Sequence, residues 1–238
     1  LKMSKFKTLK EIDVKNKRAL VRVNFDLPLD KKGKITDIFR LKESLPTIKY
    51  LIKQKAKVIL ISHLGRPNGK RIKKLSLKPV AKILSKFLKK EVLFAKKAEN
   101  MKPRDILLLE NVRFSKGEEE NSKELAQKLA KLGDIYINDA FAVSHRKHAS
   151  IVGIPLFLPS AVGLLLEKEI KELDKILRTP KRPLVAIIGG AKMETKIKVI
   201  NKFLKIADKV LIGGALANTI FASERIFMGD SVIDTDSF

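Results

Sequence analysis

The feature that most constrains the fold is a short apolar run that ends abruptly in a polar loop. Residues 57–61 read KVILI, and SHLGRP follows at once. The run is short and rich in β-branched residues, as is typical of a strand buried on both faces of a parallel sheet. Ligands of open α/β sheets bind just beyond the carboxyl ends of the strands, so His63 and Arg66 lie where a ligand is expected.

Similar runs alternate with amphipathic segments along the chain. The patterns predict strands over residues 18–25, 57–61, 91–95, 106–109 and 134–138, and helices over 40–54, 77–89 and 118–132. Asn121 or Ser122 is the expected cap of the third helix. This alternation predicts an α/β fold, a doubly wound, Rossmann-like parallel sheet with right-handed crossovers and helices on both faces.

The second half of the chain predicts a further, shorter α/β pattern. One helix is expected over residues 161–177, and two nearby prolines then mark a boundary. Beyond it we expect strands over 184–188 and 209–212 and helices over 192–206 and 215–224. The predicted organisation is an α/β domain over 1–160, an interdomain helix over 161–178 and an incomplete second α/β domain over 179–238.

Composition limits the possible classes of protein. The absence of cysteine excludes a disulfide scaffold and thiolate chemistry, and fits a cytoplasmic location. No apolar run approaches the ~18 residues of a membrane span, and the basic start lacks the apolar core of a signal peptide. The net charge of +25 leaves three interpretations open: solubility, steering of anionic small molecules, or nucleic-acid binding. Nucleic acid is the least favoured, because the lysines are scattered and tryptophan is absent.

Arginines recur near the predicted strand ends. Five of them suggest convergence on one anion: Arg22, Arg40, Arg66, Arg113 and Arg146. Guanidinium groups match phosphate and carboxylate geometry, although any one of them could instead form a surface ion pair. Asn24 and Asp26 point to one side after the first strand, where they could hold ligand hydroxyls or form an Asx turn.

A second candidate site follows the last two predicted strands. Gly189-Gly190 and Gly213-Gly214 end these strands, and glycines allow a phosphate to approach backbone N–H groups at a helix N-terminus. Lys192 and Lys196 are four residues apart, so both amines would project from one helical face. The alternative is a glycine-rich strand exit with surface lysines. Near 139–148, a Ser-His-Asp triad or a metal site is a weaker possibility.

Taken together, these segments resemble the phosphoglycerate kinase family. The matching stretches occur in the family's order from about residue 7 to 231: LPTI at 45–48, HLGRP at 63–67, LENVRF at 109–114, DAF at 139–141 with HR at 145–146, and GGAK at 189–192. Three departures stand out. The family's Asp-Phe-Asn is Asn24-Phe25-Asp26 here, its Phe-Gly-Thr-Ala-His is FAVSH at 141–145, and Ala215 replaces a third glycine.

The resemblance implies a two-domain kinase of glycolysis that transfers a phosphoryl group in line between Mg-ATP and 3-phosphoglycerate, with ADP and 1,3-bisphosphoglycerate as the other pair. By position, the glycerate would be bound by Asn24, Asp26, Arg40, His63, Leu64, Gly65, Arg66, Arg113 and Arg146. The nucleotide would be bound by Gly189, Gly190, Lys192, Lys196, Gly213 and Gly214. Arg40 and Lys192 would be the catalytic residues that stabilise the phosphoryl group, and hinge closure of the domains would exclude water.

The resemblance also implies that the family's later segments, with the adenosine pocket and the magnesium ligand, are not in this sequence. Without those segments, we expect the 238 residues alone to be inactive. We also expect a cytoplasmic, monomeric protein with no membrane partner. The competing hypothesis is a truncated, non-catalytic paralogue that binds an anion or nucleic acid.

Overall fold

The computed structural model describes residues 6–94 and 101–237. The chain forms two compact units, Leu1–Ile170 and Lys171–Phe238, referred to as unit 1 and unit 2. The predicted strand over 91–95 is observed as Leu93–Phe94, and residue 95 lies outside the described residues. Across the described ranges, we find no helix that is both long enough and apolar enough to span a bilayer.

The described strands of unit 1 are β1 (Arg18–Arg22), β2 (Lys57–Ile61), β3 (Leu93–Phe94), β4 (Ile106–Leu108), β5 (Ile135–Asn138) and β6 (Ser160–Val162). The helices of unit 1 are α1 (Phe39–Lys53), α2 (Lys78–Leu88), α3 (Lys116–Glu119) and α4 (Lys123–Ala130). A further helix, α5 (Leu164–Arg178), begins in unit 1, and its residues from Lys171 onward belong to unit 2. Unit 2 contains β7 (Val185–Gly189), α6 (Ile197–Leu204), β8 (Lys209–Gly213) and α7 (Ala215–Ser223).

The sheet of unit 1 has the order β3-β4-β2-β1-β5-β6, and every neighbouring pair is parallel. Side chains alternate between its two faces, as strand geometry requires. Ala19 and Val21 of β1 pack in one core with residues of α1 and α2. Leu20, between them, packs in a second core with Leu129 of α4. Helices therefore cover both faces, which confirms the predicted doubly wound α/β fold.

The helix predicted over residues 118–132 is wrong, because the segment forms two short helices. Asn121 lies between α3 and α4 with a left-handed φ of 54°, which interrupts the helix. Ser122 then caps α4, since its Oγ accepts a hydrogen bond from the Leu125 N–H at 3.3 Å. Hydropathy alone did not reveal the break, because α3 consists of charged residues and glycine and so has no apolar pattern of its own.

The helix predicted over 161–177 begins too early, because its first residues form an edge strand. Residues of β6 pair in parallel with β5, and Ala161 lies beside Ile137. α5 starts only at Leu164, where the Asp139 carboxylate caps it. Asp139 Oδ1 accepts hydrogen bonds from the N–H groups of Leu165 and Leu166, at 2.9 and 3.2 Å. The start of α5 is thus anchored to the end of β5.

The first predicted strand is also too long, because β1 ends at Arg22 and not at residue 25. Its continuation turns toward β2, where the Phe25 N–H donates to Ser62 Oγ at 2.8 Å. Apart from α6, the remaining elements agree with the prediction to within two residues.

In unit 2, β7 and β8 form a two-stranded parallel sheet. Ile187 and Leu211 on these strands are 79% and 51% exposed, whereas Ile200 of α6 and Leu216 of α7 are buried. Two strands give the helices of this unit little surface against which to pack.

Gly163 is expected to be sterically essential for the Asp139 cap, because a Cβ added there would lie 2.2 Å from Asp139 Oδ1. We expect Gly163→Ala to displace the carboxylate and lower the free energy of unfolding by about 2 kcal/mol, as overpacking does. The measurement is urea unfolding combined with hydrogen exchange at the Leu165 and Leu166 amides. Gly213→Ala is the control, since its Cβ would meet no atom within 4 Å. Unchanged protection of both amides in Gly163→Ala would contradict this prediction.

Candidate functional site

The loops that follow β1, β2, β4 and β5 meet at one edge of unit 1, because these strands are parallel neighbours. We call this the carboxyl edge. It carries most of the glycerate-site residues predicted from the sequence: Asn24, Asp26, His63, Leu64, Gly65, Arg66, Arg113 and Arg146. Arg40 joins them from the first turn of α1, where its guanidinium contacts Asp26.

Two buried polar residues, which sequence reasoning missed, hold these loops in place. Ser62 Oγ donates to the Val23 carbonyl at 2.9 Å and accepts from the Phe25 N–H. Asn111 Nδ2 donates to the Leu64 carbonyl at 2.8 Å, and Asn111 Oδ1 accepts from the Arg113 N–H at 3.1 Å. The available signal was that each stands one to three residues beyond a buried strand, where a polar side chain can satisfy loop backbone.

Asp26 is the centre of the hydrogen bonding at the carboxyl edge. Its Oδ1 accepts from the Gly65 N–H at 2.8 Å, and its Oδ2 lies 3.5 Å from His63 Nε2. The Arg40 guanidinium donates to the Asp26 backbone carbonyl and lies 3.9 Å from Oδ2. Burial disfavours the charged carboxylate, but the bonds from His63 and the Gly65 backbone outweigh it and hold the pKa of Asp26 well below its ordinary range. Asp26 is therefore anionic and restrains Arg40.

His63 is buried and uncharged at neutral pH. Arg22 Nη2 lies 3.0 Å from His63 Nδ1. Arginine can only donate, so Nδ1 is the acceptor and Nε2 carries the hydrogen that faces Asp26. Burial lowers the pKa of His63 to about 4, Arg22 and Arg113 act in the same direction, and Asp26 opposes them. The sequence suggested a basic cleft, but this histidine adds no positive charge to it.

Arg113 and Arg146 place buried, unpaired N–H groups at the carboxyl edge. Arg113 is 2% exposed, and its Nη1 donates to the Gly65 carbonyl at 2.8 Å. Its Nε lies 3.4 Å from a Glu119 carboxylate oxygen. Arg113 Nη2 and Arg146 Nε are buried without a hydrogen-bond partner. Burial lowers the pKa of Arg113, Glu119 opposes this, and Arg146 adds to it. Unpaired buried donors are costly, so this arrangement favours an anionic ligand.

The other predicted residues of this site lie at different depths. Asn24 and Arg40 line a cavity of about 260 Å³, which also has Phe39 and Phe141 in its wall. Arg66 is exposed, next to Gly65. Leu64 packs in the core with 2% exposure, so only its backbone can take part in binding.

The alternative Ser-His-Asp triad is not formed. Asp139 is occupied by the N-terminus of α5. Ser144 Oγ donates to the Ala140 carbonyl at 2.9 Å and accepts from Asn138 Nδ2 at 3.1 Å.

In unit 2, the predicted glycine pairs lie side by side at the carboxyl ends of β7 and β8. Gly189 and Gly213 are register partners in the sheet. No atom lies within 4 Å of a Cβ added at Gly213, and Gly214 adopts a φ of 65°, which suits glycine. α7 begins immediately afterwards, so backbone N–H groups at its N-terminus adjoin the open glycine edge.

The helical-face argument for Lys192 and Lys196 is wrong, because α6 begins only at Ile197 and not at 192. Residues 193–197 form a turn in which the Lys196 N–H donates to the Met193 carbonyl at 2.8 Å. The Met193 N–H is bonded to the Asp234 carboxylate at 2.7 Å, which holds the turn outside the helix. Lys196 still packs beside Gly190, with its Cε 3.4 Å from where a Cβ would lie. Lys192 Nζ is 3.8 Å from Asp236 Oδ2.

A magnesium site cannot be assigned from these side chains. Within residues 6–94 and 101–237, no cluster of three or more His, Asp or Glu residues could hold a metal ion.

Fold and site together define an α/β protein with an edge in unit 1 that presents unpaired arginine donors and an open glycine edge in unit 2. The family model for phosphoglycerate kinase matches residues 9–238, and the chain therefore belongs to the phosphoglycerate kinase family. This confirms the resemblance seen in the sequence.

Individual relatives agree with the family match. The phosphoglycerate kinase of Thermosipho africanus is 50% identical over 96% of this chain and 59% of its own length. That of Finegoldia magna is 48% identical over 97% of this chain and 61% of its own length. The solved structure of phosphoglycerate kinase from Coxiella burnetii has a TM-score of 0.85 at 40% identity, covering 98% of this chain and 60% of that one. The chain spans about three fifths of the length of the curated relatives it matches.

The buried, neutral His63 should make stability depend on pH. The pKa of His63 is about 4 in the folded protein and about 6.5 in an unfolded chain. As pH falls from about 7 to 4, the unfolded chain binds the proton first, so the free energy of unfolding should fall by up to about 3 kcal/mol from this group. Urea unfolding across this range measures the loss. His63→Gln should show a shallower dependence, and parallel curves for the two proteins would contradict the assignment.

Proposed function

We propose that this protein reversibly transfers a phosphoryl group between ATP and 3-phosphoglycerate, giving ADP and 1,3-bisphosphoglycerate, and that the carboxyl edge of unit 1 binds the glycerate partner. Membership of the phosphoglycerate kinase family supports this reaction. The chain spans about three fifths of its relatives, so the activity of the whole protein belongs to this proposal.

The observation that carries the proposal is a pair of arginine side chains whose buried donor atoms are unpaired. Arg113 Nη2 and Arg146 Nε have no hydrogen-bond partner within the described structure. Charge-assisted hydrogen bonds from guanidinium to phosphate or carboxylate are among the strongest available in proteins. 3-Phosphoglycerate carries both groups in ionised form at neutral pH. An anion of this kind would satisfy the donors and offset the repulsion between the two arginines.

The chemistry of the acceptor is consistent with this site. The acceptor carboxylate is already ionised, so the reaction requires no general base. His63 is not a free base, because Arg22 occupies its Nδ1 and its Nε2–H faces Asp26. Phosphoryl transfer depends mainly on positioning and on positive charge around the transferring oxygens. We assign that charge to Arg40 and Lys192, and domain closure would exclude water from the acyl phosphate.

The nucleotide part of the proposal rests on the glycine edge of unit 2. Gly189, Gly190, Gly213 and Gly214 would let the phosphates of ATP approach backbone N–H groups at the start of α7. Lys196, packed beside Gly190, would contact a nucleotide phosphate. The monomeric state, the cytoplasmic location, the lack of nucleic-acid binding and the inactivity of these 238 residues alone remain predictions from the sequence.

Removing an arginine from the carboxyl edge should weaken glycerate binding. We expect Arg113→Ala and Arg66→Ala each to cost about 1.5–3 kcal/mol of binding free energy, since each loses a charge-assisted hydrogen bond. Titration calorimetry with 3-phosphoglycerate measures the loss. Arg18→Ala is the matched control, because Arg18 lies at the opposite end of β1 in an ion pair with Asp134. Wild-type affinity in both edge variants would reject these assignments, and no binding by the wild-type protein would reject the proposed function.

Asn24 and Asp26, which are exchanged relative to the family's Asp-Phe-Asn, provide a second test. In the double variant Asn24→Asp, Asp26→Asn, an amide oxygen at position 26 can still accept from the Gly65 N–H, and a carboxylate is removed from beside His63. We expect affinity for 3-phosphoglycerate to be retained or improved, measured by the same calorimetry with Asp26→Asn alone for comparison. About tenfold weaker binding by the double variant would show that this site is adapted to a different anion.

A further inference from the structure

A chain of hydrogen bonds runs from the interior of unit 1 to the carboxyl edge. Ser150 Oγ donates to a Glu118 carboxylate oxygen at 2.6 Å, and Arg22 Nε donates to the same Oγ at 2.9 Å. Arg22 Nη2 donates to His63 Nδ1 at 3.0 Å, and His63 Nε2 lies 3.5 Å from Asp26 Oδ2. We call these five residues the buried relay.

The inner half of the buried relay is completely inaccessible to solvent. Glu118, Ser150 and Arg22 each have 0% exposure. A buried carboxylate and a buried guanidinium each require compensation, and here the Ser150 hydroxyl bridges them. The Ser150 N–H also donates to Glu118, at 2.9 Å. Arg22 is further fixed by donation to the Val23 carbonyl at 2.6 Å.

The direction of every bond in the buried relay follows from one group. A guanidinium has donors and no acceptor, so Ser150 Oγ must accept from Arg22 and give its own hydrogen to Glu118. For the same reason His63 Nδ1 must accept, and the ring hydrogen stays on Nε2. The charged groups that face His63 are Arg22 from β1, Asp26 from the loop after β1 and Arg113 from the turn after β4.

We propose that Glu118 and Ser150 are positioning residues that orient Arg22. Arg22 in turn holds His63 in the Nε2–H tautomer. That tautomer orients Asp26 and, through Asp26, Arg40. The ligand part of this inference rests on the proposed function, because the ligand that Arg40 would meet is 3-phosphoglycerate. The tautomer part stands on the contacts alone. Neither Glu118 nor Ser150 was singled out by sequence reasoning.

The test uses ¹⁵N spectra of the histidine rings in the full chain, which has three histidines. In the wild-type protein, His63 should show an unprotonated Nδ1 and a protonated Nε2 at pH 7. Ser150→Ala should produce a mixture of the two neutral His63 tautomers at pH 7, because Arg22 would no longer be held against Nδ1. It should also weaken 3-phosphoglycerate binding by about fivefold, roughly 1 kcal/mol. Ser150→Thr, which keeps the hydroxyl, should restore the wild-type tautomer.

Tyr136→Phe is the matched control. The Tyr136 hydroxyl is buried and donates to the backbone carbonyl of Ser150 at 2.6 Å. Its removal deletes a hydrogen bond to the same residue and leaves the buried relay intact. We expect its His63 spectrum and its affinity for 3-phosphoglycerate to match those of the wild-type protein. A purely structural role for this region would make Tyr136→Phe resemble Ser150→Ala.

Three results would overturn the inference: a wild-type His63 spectrum in Ser150→Ala, an equal change in Tyr136→Phe, or no rescue by Ser150→Thr. If circular dichroism shows that Ser150→Ala does not fold, Glu118→Gln carries the same readouts. The two Ser150 donors bond to different oxygens of Glu118, and in glutamine one of these oxygens is replaced by an NH2 donor. If the wild-type protein does not bind 3-phosphoglycerate, the proposed function fails, while the tautomer comparison still decides whether the buried relay operates.

Discussion

The parallel pairing of β1 with β2 on one side and β5 on the other decides where the charged side chains of unit 1 can lie. In register, Arg22 lies beside Ile61 and beside Asn138. The residues that follow all three strands must therefore leave the sheet at the same edge, and their polar side chains lie close together. Apolar cores cover both faces of the sheet, so the polar residues lie at the carboxyl ends of the strands.

At that edge, burial has different effects on the charge of histidine and of arginine. Imidazole loses its proton when it is desolvated, whereas guanidinium retains its charge and must find acceptors. Arg22 finds them in Ser150, His63 and the Val23 carbonyl, and becomes part of the framework. Arg113 is paired only in part. The same residue type thus supports the site in one position and presents unpaired donors in the other.

Sequence reasoning recovered the fold class and most elements because alternating apolar runs record which faces are buried. β2 was predicted without error. β6 was missed because three residues at a sheet edge carry too little pattern to distinguish them from the helix that follows. The start of α6 was misplaced because Asp234, far along the chain, holds the turn at Met193.

The residues of the candidate site were likewise only partly predictable from the sequence. Arginines at strand ends could be recognised from spacing, and the structure brings Arg40, Arg113 and Arg146 to one edge. Glu118 and Ser150 could not be recognised, because a buried charged pair bridged by a hydroxyl has no signature in hydropathy. The charge state of His63 depends on desolvation, which only packing reveals.

The uncharged His63 has a consequence for how the carboxyl edge responds to its surroundings. The cations described there are guanidinium groups, which keep their charge in proteins, and Asp26 stays ionised throughout the neutral range. His63 and Asp26 therefore contribute no change of charge to this edge near neutral pH, where a histidine with an ordinary pKa would. Dissolved salt, which screens exposed charges over about 8–10 Å, is in contrast a physiological variable that can tune how strongly this edge attracts an anion.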